Sequence, residues 1–190
     1  MDRFVKQKKH AVNKLNMSVS VGDADEGIIS LLSRINSLGD YYTTSSCAGR
    51  IQLFQDVGSK ADNQQIACWH RTVKPAEVLL AYRKVSGVLY FKCEPPIIHV
   101  AARTVEAAQK LLVAARESGF KHSGIQSVKD ERVMVELAST ESLDAPVADD
   151  KRRLVTDDYI KYLVRLANKK HRRSQEKIRK LENSLKKQPI

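Results

Sequence analysis

Apolar residues recur every three or four positions in five stretches of the chain, and this spacing predicts amphipathic helices. The stretches cover residues 4–15, 24–37, 75–86, 105–118 and 157–187. Thr104 and Thr156 are placed to cap the last two helices at their amino ends, and Gly119 is placed to end the fourth. The chain is therefore expected to contain five helices, with the longest at its carboxyl end.

Other segments are rich in β-branched and aromatic residues or alternate apolar with polar positions, which predicts strands. These segments are residues 41–45, 51–54, 66–69, 88–92, 97–101 and 132–137. The first two are separated by a glycine-containing turn, so we expect them to pair with each other. Residues 139–150 have the composition of a linker.

Helices and strands are mixed without a repeated strand–helix–strand unit, which predicts a single α+β domain around a mixed β-sheet. Neither the glycine fingerprint of dinucleotide-binding folds nor the phosphate-loop pattern of NTPases occurs in the sequence. The expected fold is therefore non-Rossmann, with a long basic C-terminal helix.

Positive charge is concentrated at the carboxyl end. The net charge is +11, and residues 151–190 contain 14 Lys or Arg against 4 Asp or Glu. We therefore divide the chain into a body, residues 1–150, and a C-terminal helix, residues 151–190, which docks first and then projects as a basic arm. Such an arm is typical of nucleic-acid binding, although a solvated helix face has the same composition. The RNA-binding candidates are Lys169, Lys170, Arg172 and Arg173.

Cysteine and histidine positions give no sign of a metal site or a disulfide framework. The three cysteines lie far apart, with no Cys-x-x-Cys pair, and the five histidines are also dispersed. No apolar run is long enough to span a membrane, and the amino end lacks the apolar core of a signal peptide. We expect a cytoplasmic protein without a metal ion.

The sequence Ser-Ser-Cys-Ala-Gly-Arg at residues 45–50 is the first candidate for chemistry. Its small side chains let a ligand approach the backbone, while Ser45 and Ser46 offer hydroxyls and Arg50 offers a planar cation for a carboxylate or phosphate. A plain polar hairpin would have the same composition. Cys47 has no base beside it in sequence, which favours packing over a nucleophilic role.

Further polar candidates lie at strand ends and near glycines. Lys92 and Glu94 share one strand face, as do His99 and Arg103 beyond the Pro-Pro turn, although solvent-facing strand residues look the same. Ser123 and Gly124 combine a hydroxyl with a position that permits close approach. Asp25 stands near a helix start, where capping is the common role, and Trp69 is expected in the core.

Taken together, these segments resemble the tRNA wybutosine-synthesising methyltransferase family that methylates the ring nitrogen N(4). The matching segments follow the family's order from about residue 22 to residue 168. They are Asp25-Glu26, Ile35-Asn36, residues 41–51, Glu94-Pro95, His99-Val100, Arg103, residues 118–120, residues 123–125, residues 155–160 and Ala167-Asn168.

The resemblance implies methyl transfer from S-adenosylmethionine to a 4-demethylwyosine derivative at position 37 of tRNA(Phe), on a non-Rossmann fold. Asp25 and His99 are then candidate bases for the acceptor nitrogen. Candidate contacts to cofactor or substrate are Ser45, Ser46, Arg50, Lys92, Glu94, Arg103, Ser123 and Gly124.

Two other functions remain open at this point. The chain could be a non-enzymatic RNA-binding protein whose basic helix supplies the affinity. A thiol-dependent hydrolase that uses Cys47 has less support from the residues. We also expect removal of residues 169–190 to weaken RNA binding while the body stays folded.

Overall fold

The computed structural model describes residues 2–129 and 131–187, so residues 188–190 of the predicted C-terminal segment lie outside the described part. Within it the chain forms five helices and nine strands. The helices are α1 (Arg3–Ser20), α2 (Glu26–Ser37), α3 (Pro75–Ala81), α4 (Val105–Glu117) and α5 (Asp157–Lys187). The strands are β1 (Tyr41–Cys47), β2 (Arg50–Asp56), β3 (Gln64–Trp69), β4 (Val88–Glu94), β5 (Ile97–Ala102), β6 (Gly124–Lys129), β7 (Arg132–Ala138), β8 (Leu143–Asp149) and β9 (Arg152–Arg153).

The strands form two sheets, and each pairing in the described residues is antiparallel. The first sheet has the order β1-β5-β7-β6 and the second has the order β3-β2-β4-β8-β9. The α+β class is confirmed, but one mixed sheet is not what the chain forms. Short connections such as those between β6 and β7 or β8 and β9 bring the chain straight back, which forces antiparallel pairing.

The predicted hairpin between residues 41–45 and 51–54 is also corrected. β1 pairs with β5, whereas β2 pairs with β3 and β4. Gly49 has a φ of +88°, a left-handed conformation that glycine adopts without strain, and it lies between the two strands. The chain therefore leaves one sheet and enters the other at this turn.

The chain divides into two compact units, Met1–Ala48 with Pro96–Thr140 and Ser174–Ile190, and Gly49–Pro95 with Glu141–Arg173. In the first unit, α2 and α4 cover one face of the first sheet, with Leu31 and Leu111 buried against Val135. The opposite face is partly covered by α1 through Phe4 and Tyr42, whose rings lie 5.0 Å apart edge to face. Part of that second face stays open.

Helix α4 begins and ends where the sequence predicted. The hydroxyl of Thr104 accepts a hydrogen bond from the Ala107 N–H at 3.1 Å, which is the expected cap. Gly119 ends the helix with a φ of +101°. Thr156 likewise accepts from the Tyr159 N–H at the start of α5.

The distal half of α5 packs in the first unit and does not project. Ile178, Leu181 and Leu185 are buried in its core. The hydroxyl of Ser30 on α2 donates to Glu182 at 2.7 Å, and Nε of Arg34 donates to the Leu185 carbonyl at 3.1 Å. A thin apolar stripe is thus enough to seat this half of the helix, because α2 supplies polar partners along its sides.

The second unit packs α3 and the proximal half of α5 on one face of the second sheet. Ile160, Leu163 and Val164 are buried in the same cluster as Leu53 and Phe91. None of the helices in the described residues has the length and apolarity that a bilayer crossing requires.

The linker predicted at residues 139–150 is wrong, because β8 occupies most of it and pairs with β4. Leu143, Ala145 and Val147 alternate along this strand and face inward. The acidic residues and Pro146 between and around them are unusual in strands, so composition favoured a linker. The sequence also did not predict β6, because it is an edge strand whose residues are all exposed or half-buried.

Candidate active site

A bulge in β1 sets two residues opposite one histidine of β5. Thr43 pairs with Val100 and Ser46 with Ile98, so β1 contains one residue more than β5 across this interval. A bulge of this kind re-aims side chains that regular pairing would point elsewhere. Here it places the exposed Ser45 hydroxyl 3.0 Å from Nδ1 of His99.

The other ring nitrogen of His99 faces a carboxylate. Its Nε2 lies 3.0 Å from Oε2 of Glu136, which is the residue directly opposite on β7. Both side chains are about a third exposed, at 32% for His99 and 29% for Glu136. A carboxylate that accepts from Nε2–H leaves Nδ1 as the acceptor for the serine hydroxyl. We call Ser45, His99 and Glu136 the serine–histidine–glutamate chain.

Glu136 was not among the residues that the sequence singled out. In an alternating strand it is simply one of the outward-facing positions, and nothing near it in sequence marks it as chemical. Its significance comes from the register of β5 and β7, which places it opposite His99. Knowledge of the strand pairing is the signal that would have found it.

Gly124 and Ser123 have different surroundings. Gly124 lies beside Glu136 on β6, and a Cβ atom at Gly124 would meet no atom within 4 Å, so the sheet face is open there. Ser123 is buried, and its hydroxyl donates to the Phe120 carbonyl at 2.7 Å and accepts from the Ala138 N–H at 3.2 Å. The structure gives Ser123 a role in holding the turn, so we withdraw it as a ligand contact.

The backbone just after β1 is held by two polar side chains, one that precedes α2 and one on α5. Asp25 precedes α2 but its side chain does not cap that helix; instead Oδ2 accepts from the Ala48 N–H at 2.8 Å. The Ala48 carbonyl accepts from Nε2 of Gln175 at 3.1 Å. The capping interpretation of Asp25 is therefore wrong, and this carboxylate fixes the backbone next to Ser46 and Cys47.

Ser46 carries a hydroxyl that the fold leaves without a partner. Its Oγ is buried and has no hydrogen bond within the described residues. A buried polar atom of this kind costs free energy unless something satisfies it, so such atoms are rare and often mark binding sites.

Three of the predicted site residues are brought together on one face of the second sheet. Arg50 and Glu94 are direct neighbours on β2 and β4, and Nε of Arg50 lies 2.6 Å from Glu94. Lys92 pairs with Asp144 at 3.2 Å and lies 5.4 Å from the centre of the Phe54 ring. These side chains form a partly exposed row of alternating charge on the face away from the second unit's core.

Arg103 and Lys170 prove to be engaged with acidic neighbours. Arg103 stacks on the ring of Phe4 at 4.4 Å and pairs with Asp40 at 3.1 Å and with Asp2. It therefore fastens the start of α1, and we withdraw it as a ligand contact. Lys170 is half-buried with its Nζ 3.9 Å from Glu141, while Lys169, Arg172 and Arg173 are exposed.

Burial argues against Cys93 as a nucleophile. Burial raises the pKa of the Cys93 thiol to about 12, so it stays protonated at neutral pH. Cys47 is half-buried beside the fixed Ala48 peptide. Trp69 packs against the second unit's core, as predicted.

Buried His171 makes the stability of the fold depend on pH. Burial lowers the pKa of His171, and nearby His70 and Arg172 lower it further, so the folded chain resists its protonation. The unfolded chain therefore binds more protons, and this part of the stability is complete above pH ~6.5 and is lost as the pH falls below that value.

Replacing His171 with Leu should flatten the decline in urea midpoint between about pH 7 and about pH 5. His122→Leu is the matched control, because His122 is exposed. A variant whose decline equals that of the wild type would show that His171 does not contribute.

Fold and site together define an α+β protein outside the Rossmann class, with a polar site on an open sheet face. A family model described as Methyltransferase TYW3 matches residues 6–187. The chain belongs to this family.

Similar proteins span nearly the full length of the chain. A protein of Thermococcus sibiricus is 45% identical over 187 residues, covering 97% of this chain and 95% of that protein. A protein of Methanocaldococcus jannaschii is 34% identical and covers 96% of each. Both carry the name tRNA(Phe) 7-((3-amino-3-carboxypropyl)-4-demethylwyosine(37)-N(4))-methyltransferase.

Solved structures show the same fold. One from Pyrococcus horikoshii is 40% identical with a TM-score of 0.89, covering 95% of this chain and 94% of that chain. A hypothetical protein from Aeropyrum pernix is 30% identical with a TM-score of 0.73, covering 84% and 98%.

Proposed function

We propose that this chain transfers a methyl group from S-adenosylmethionine to the ring nitrogen N(4) of a 4-demethylwyosine derivative at position 37 of tRNA(Phe). The observation that carries the proposal is the full-length similarity to proteins named for that reaction. Membership of a methyltransferase family disfavours a protein that only binds RNA.

The residues of the first unit fit the methyl donor. When bound, S-adenosylmethionine supplies a methyl group on a positively charged sulfur. Its amino-acid and ribose parts need hydrogen-bond partners, and the unsatisfied hydroxyl of Ser46 is suited to one of them. The open sheet face at Gly124 leaves room for a flat ring system.

In the second unit, we propose that Arg50, Lys92 and Glu94 contact the cofactor or the substrate. Arg50 keeps a planar guanidinium beside Glu94, and such a fork suits a carboxylate or a phosphate. Lys92 and Glu94 offer a donor and an acceptor on the same sheet face.

His99 is the better of the two candidate bases. The acceptor nitrogen must lose a proton, and we propose that the Ser45 hydroxyl passes it to Nδ1 of His99 while Glu136 holds the ring and balances the new charge. Asp25 already accepts a backbone hydrogen bond that holds the segment, so we assign it a positioning role.

The remaining requirement is positioning, because methyl transfer from a sulfonium proceeds by in-line attack with little covalent help from the protein. The fixed Ala48 peptide and the bulge in β1 supply rigidity at the segment that carries Ser45 and Ser46.

For the RNA, we propose that Lys169, Arg172 and Arg173 contact phosphates. All three are exposed on α5, whereas Lys170 faces Glu141. Replacing one of these residues should therefore reduce, by about one, the slope of the logarithm of the binding constant against the logarithm of salt concentration.

The function is tested by mass spectrometry of tRNA(Phe) nucleosides from cells that lack the protein. An unmethylated tricyclic intermediate should accumulate, and the purified protein with S-adenosylmethionine should convert it to the methylated nucleoside. If the intermediate does not accumulate and the purified protein transfers no methyl group, the proposal fails. Calorimetry then shows whether the chain binds S-adenosylmethionine at all.

A further inference from the structure

A basic cavity of about 440 Å³ lies beside α1 in the first unit. Its chemical character comes from six residues: Lys6, His10, Lys14, Tyr42, Thr44 and Arg132. The lining contains three permanent cations and one imidazole, and it contains no carboxylate. A cavity with this lining attracts anions.

The overall charge pattern hides this cluster. Helix α1 contains five Lys or Arg and no Asp or Glu. Acidic residues elsewhere in the first 150 positions offset this positive charge when the net charge of the whole segment is counted. The positive charge of the chain is therefore not confined to its carboxyl end.

Two of the lysines and the histidine form a row along the helix. Lys6, His10 and Lys14 are spaced by four residues, which puts them on one face of α1 over a length of about 12 Å. A row of this length suits an extended polyanion better than a single small ion.

Arg132 faces the row from the sheet. Its Nη1 donates to the Tyr42 hydroxyl at 3.2 Å, and that hydroxyl donates to Gln7 at 2.8 Å, so the guanidinium is held in place. A smaller cavity of about 280 Å³ continues past Arg132 and adds Arg3 and Lys129. Arg3 is paired there with Glu131 at 3.0 Å, which leaves the main row the more basic part.

The cavity adjoins the serine–histidine–glutamate chain on the same face of the first sheet. Thr44 lines the cavity and precedes Ser45, and its hydroxyl donates to the His99 carbonyl at 3.4 Å. A polyanion seated along α1 would therefore approach the site where we place the reacting base.

We propose that this cavity binds backbone phosphates of the tRNA next to the modified nucleotide. The inference rests on the proposed function for the identity of the polyanion. It adds a second phosphate-binding surface, on α1 and β7, to the exposed cations of α5.

The test compares two double variants with the same change in charge. Lys6→Gln with Lys14→Gln removes two cations of the row. Lys9→Gln with Lys110→Gln removes two exposed cations that do not line the cavity. Binding of tRNA(Phe) is measured by fluorescence anisotropy over a range of salt concentrations, together with methylation kinetics.

In the Lys6→Gln, Lys14→Gln variant, the slope of the logarithm of the tRNA binding constant against the logarithm of salt concentration should fall in magnitude by about two. KM for tRNA should rise, while kcat should change little. The control variant should keep a slope close to that of the wild type. Both should melt at the wild-type temperature, because the replaced side chains are exposed.

Equal slopes for the two variants would overturn the proposal. The proposal would also be overturned if a low concentration of inorganic phosphate, added at constant ionic strength, removed the difference in salt slope between the two variants. The cavity would then be a site for a small anion. Failure of the proposed function has another signature: the wild type itself neither binds tRNA(Phe) selectively nor methylates it.

Discussion

Replacing His99 with Ala should lower the single-turnover rate of methyl transfer by roughly 10²- to 10⁴-fold, which is the usual contribution of a general base. His99 connects the Ser45 hydroxyl with the Glu136 carboxylate through bonds of 3.0 Å on each side, so its removal interrupts the proposed proton path at its centre. Because the ring is 32% exposed, added imidazole should restore part of the rate.

The variant Glu136→Gln tests whether the Glu136 charge supports His99 in catalysis without disturbing the fold. The amide keeps the shape and can still bond to the ring, but it no longer balances a charge on the imidazole. We expect kcat to fall by less than in His99→Ala, while KM for tRNA and for S-adenosylmethionine stays near the wild-type value. Glu117→Gln is the matched control, since Glu117 is exposed on α4.

Single-turnover rates measured with pre-bound tRNA decide the matter. A His99→Ala enzyme that works at the wild-type rate would remove His99 from the mechanism and make Asp25 the next base to examine. Unchanged melting temperatures would show that the loss of rate is not a loss of fold.

Leu181→Ala should reduce the free energy of unfolding by about 2–5 kcal/mol, the usual cost of a cavity left by a buried leucine. Leu181 is fully buried, and it packs with Ile178 and Leu185 in the first unit's core. Arg179→Ala, two positions earlier on the exposed side of α5, should change the stability by no more than about 0.5 kcal/mol.

Chemical denaturation followed by circular dichroism provides the measurement. If Leu181→Ala and Arg179→Ala were equally stable, the distal half of α5 would project as the sequence suggested. For the same reason, removing residues 169–190 is not a clean test of RNA binding, because the deletion takes three core residues with it. Neutralising Arg172 and Arg173 leaves the core intact.

Much of the fold could be predicted because local patterns determine it. The five helices follow from apolar spacing, and caps at Thr104 and Thr156 mark where two of them begin. Strand pairing is different, since it depends on contacts between distant segments. Nothing in residues 41–54 indicates that β1 pairs with β5 while β2 pairs with β3 and β4.

The site could be predicted only where residue type itself was informative. Ser45, Ser46 and His99 stand out as side chains that can bind or carry a proton. Glu136 does not, because its proposed role depends on the register between two strands.

The candidates Arg103, Ser123 and Lys170 show the converse. Each has a polar group that could bind a ligand, but that group makes contacts within the fold instead. Arg103 holds α1, Ser123 holds a turn and Lys170 lies beside the buried Glu141. Sequence alone does not reveal how a polar side chain's hydrogen bonds are used.

The extra residue in β1 has a consequence for how this segment can vary. With regular pairing, Thr44 and Ser45 would point to opposite faces of the sheet. The count of residues between Thr43 and Ser46, more than their identity, therefore brings the Ser45 hydroxyl to His99. A lineage could exchange side chains here and keep the backbone geometry, whereas a single insertion or deletion would turn the Ser45 side chain away from His99.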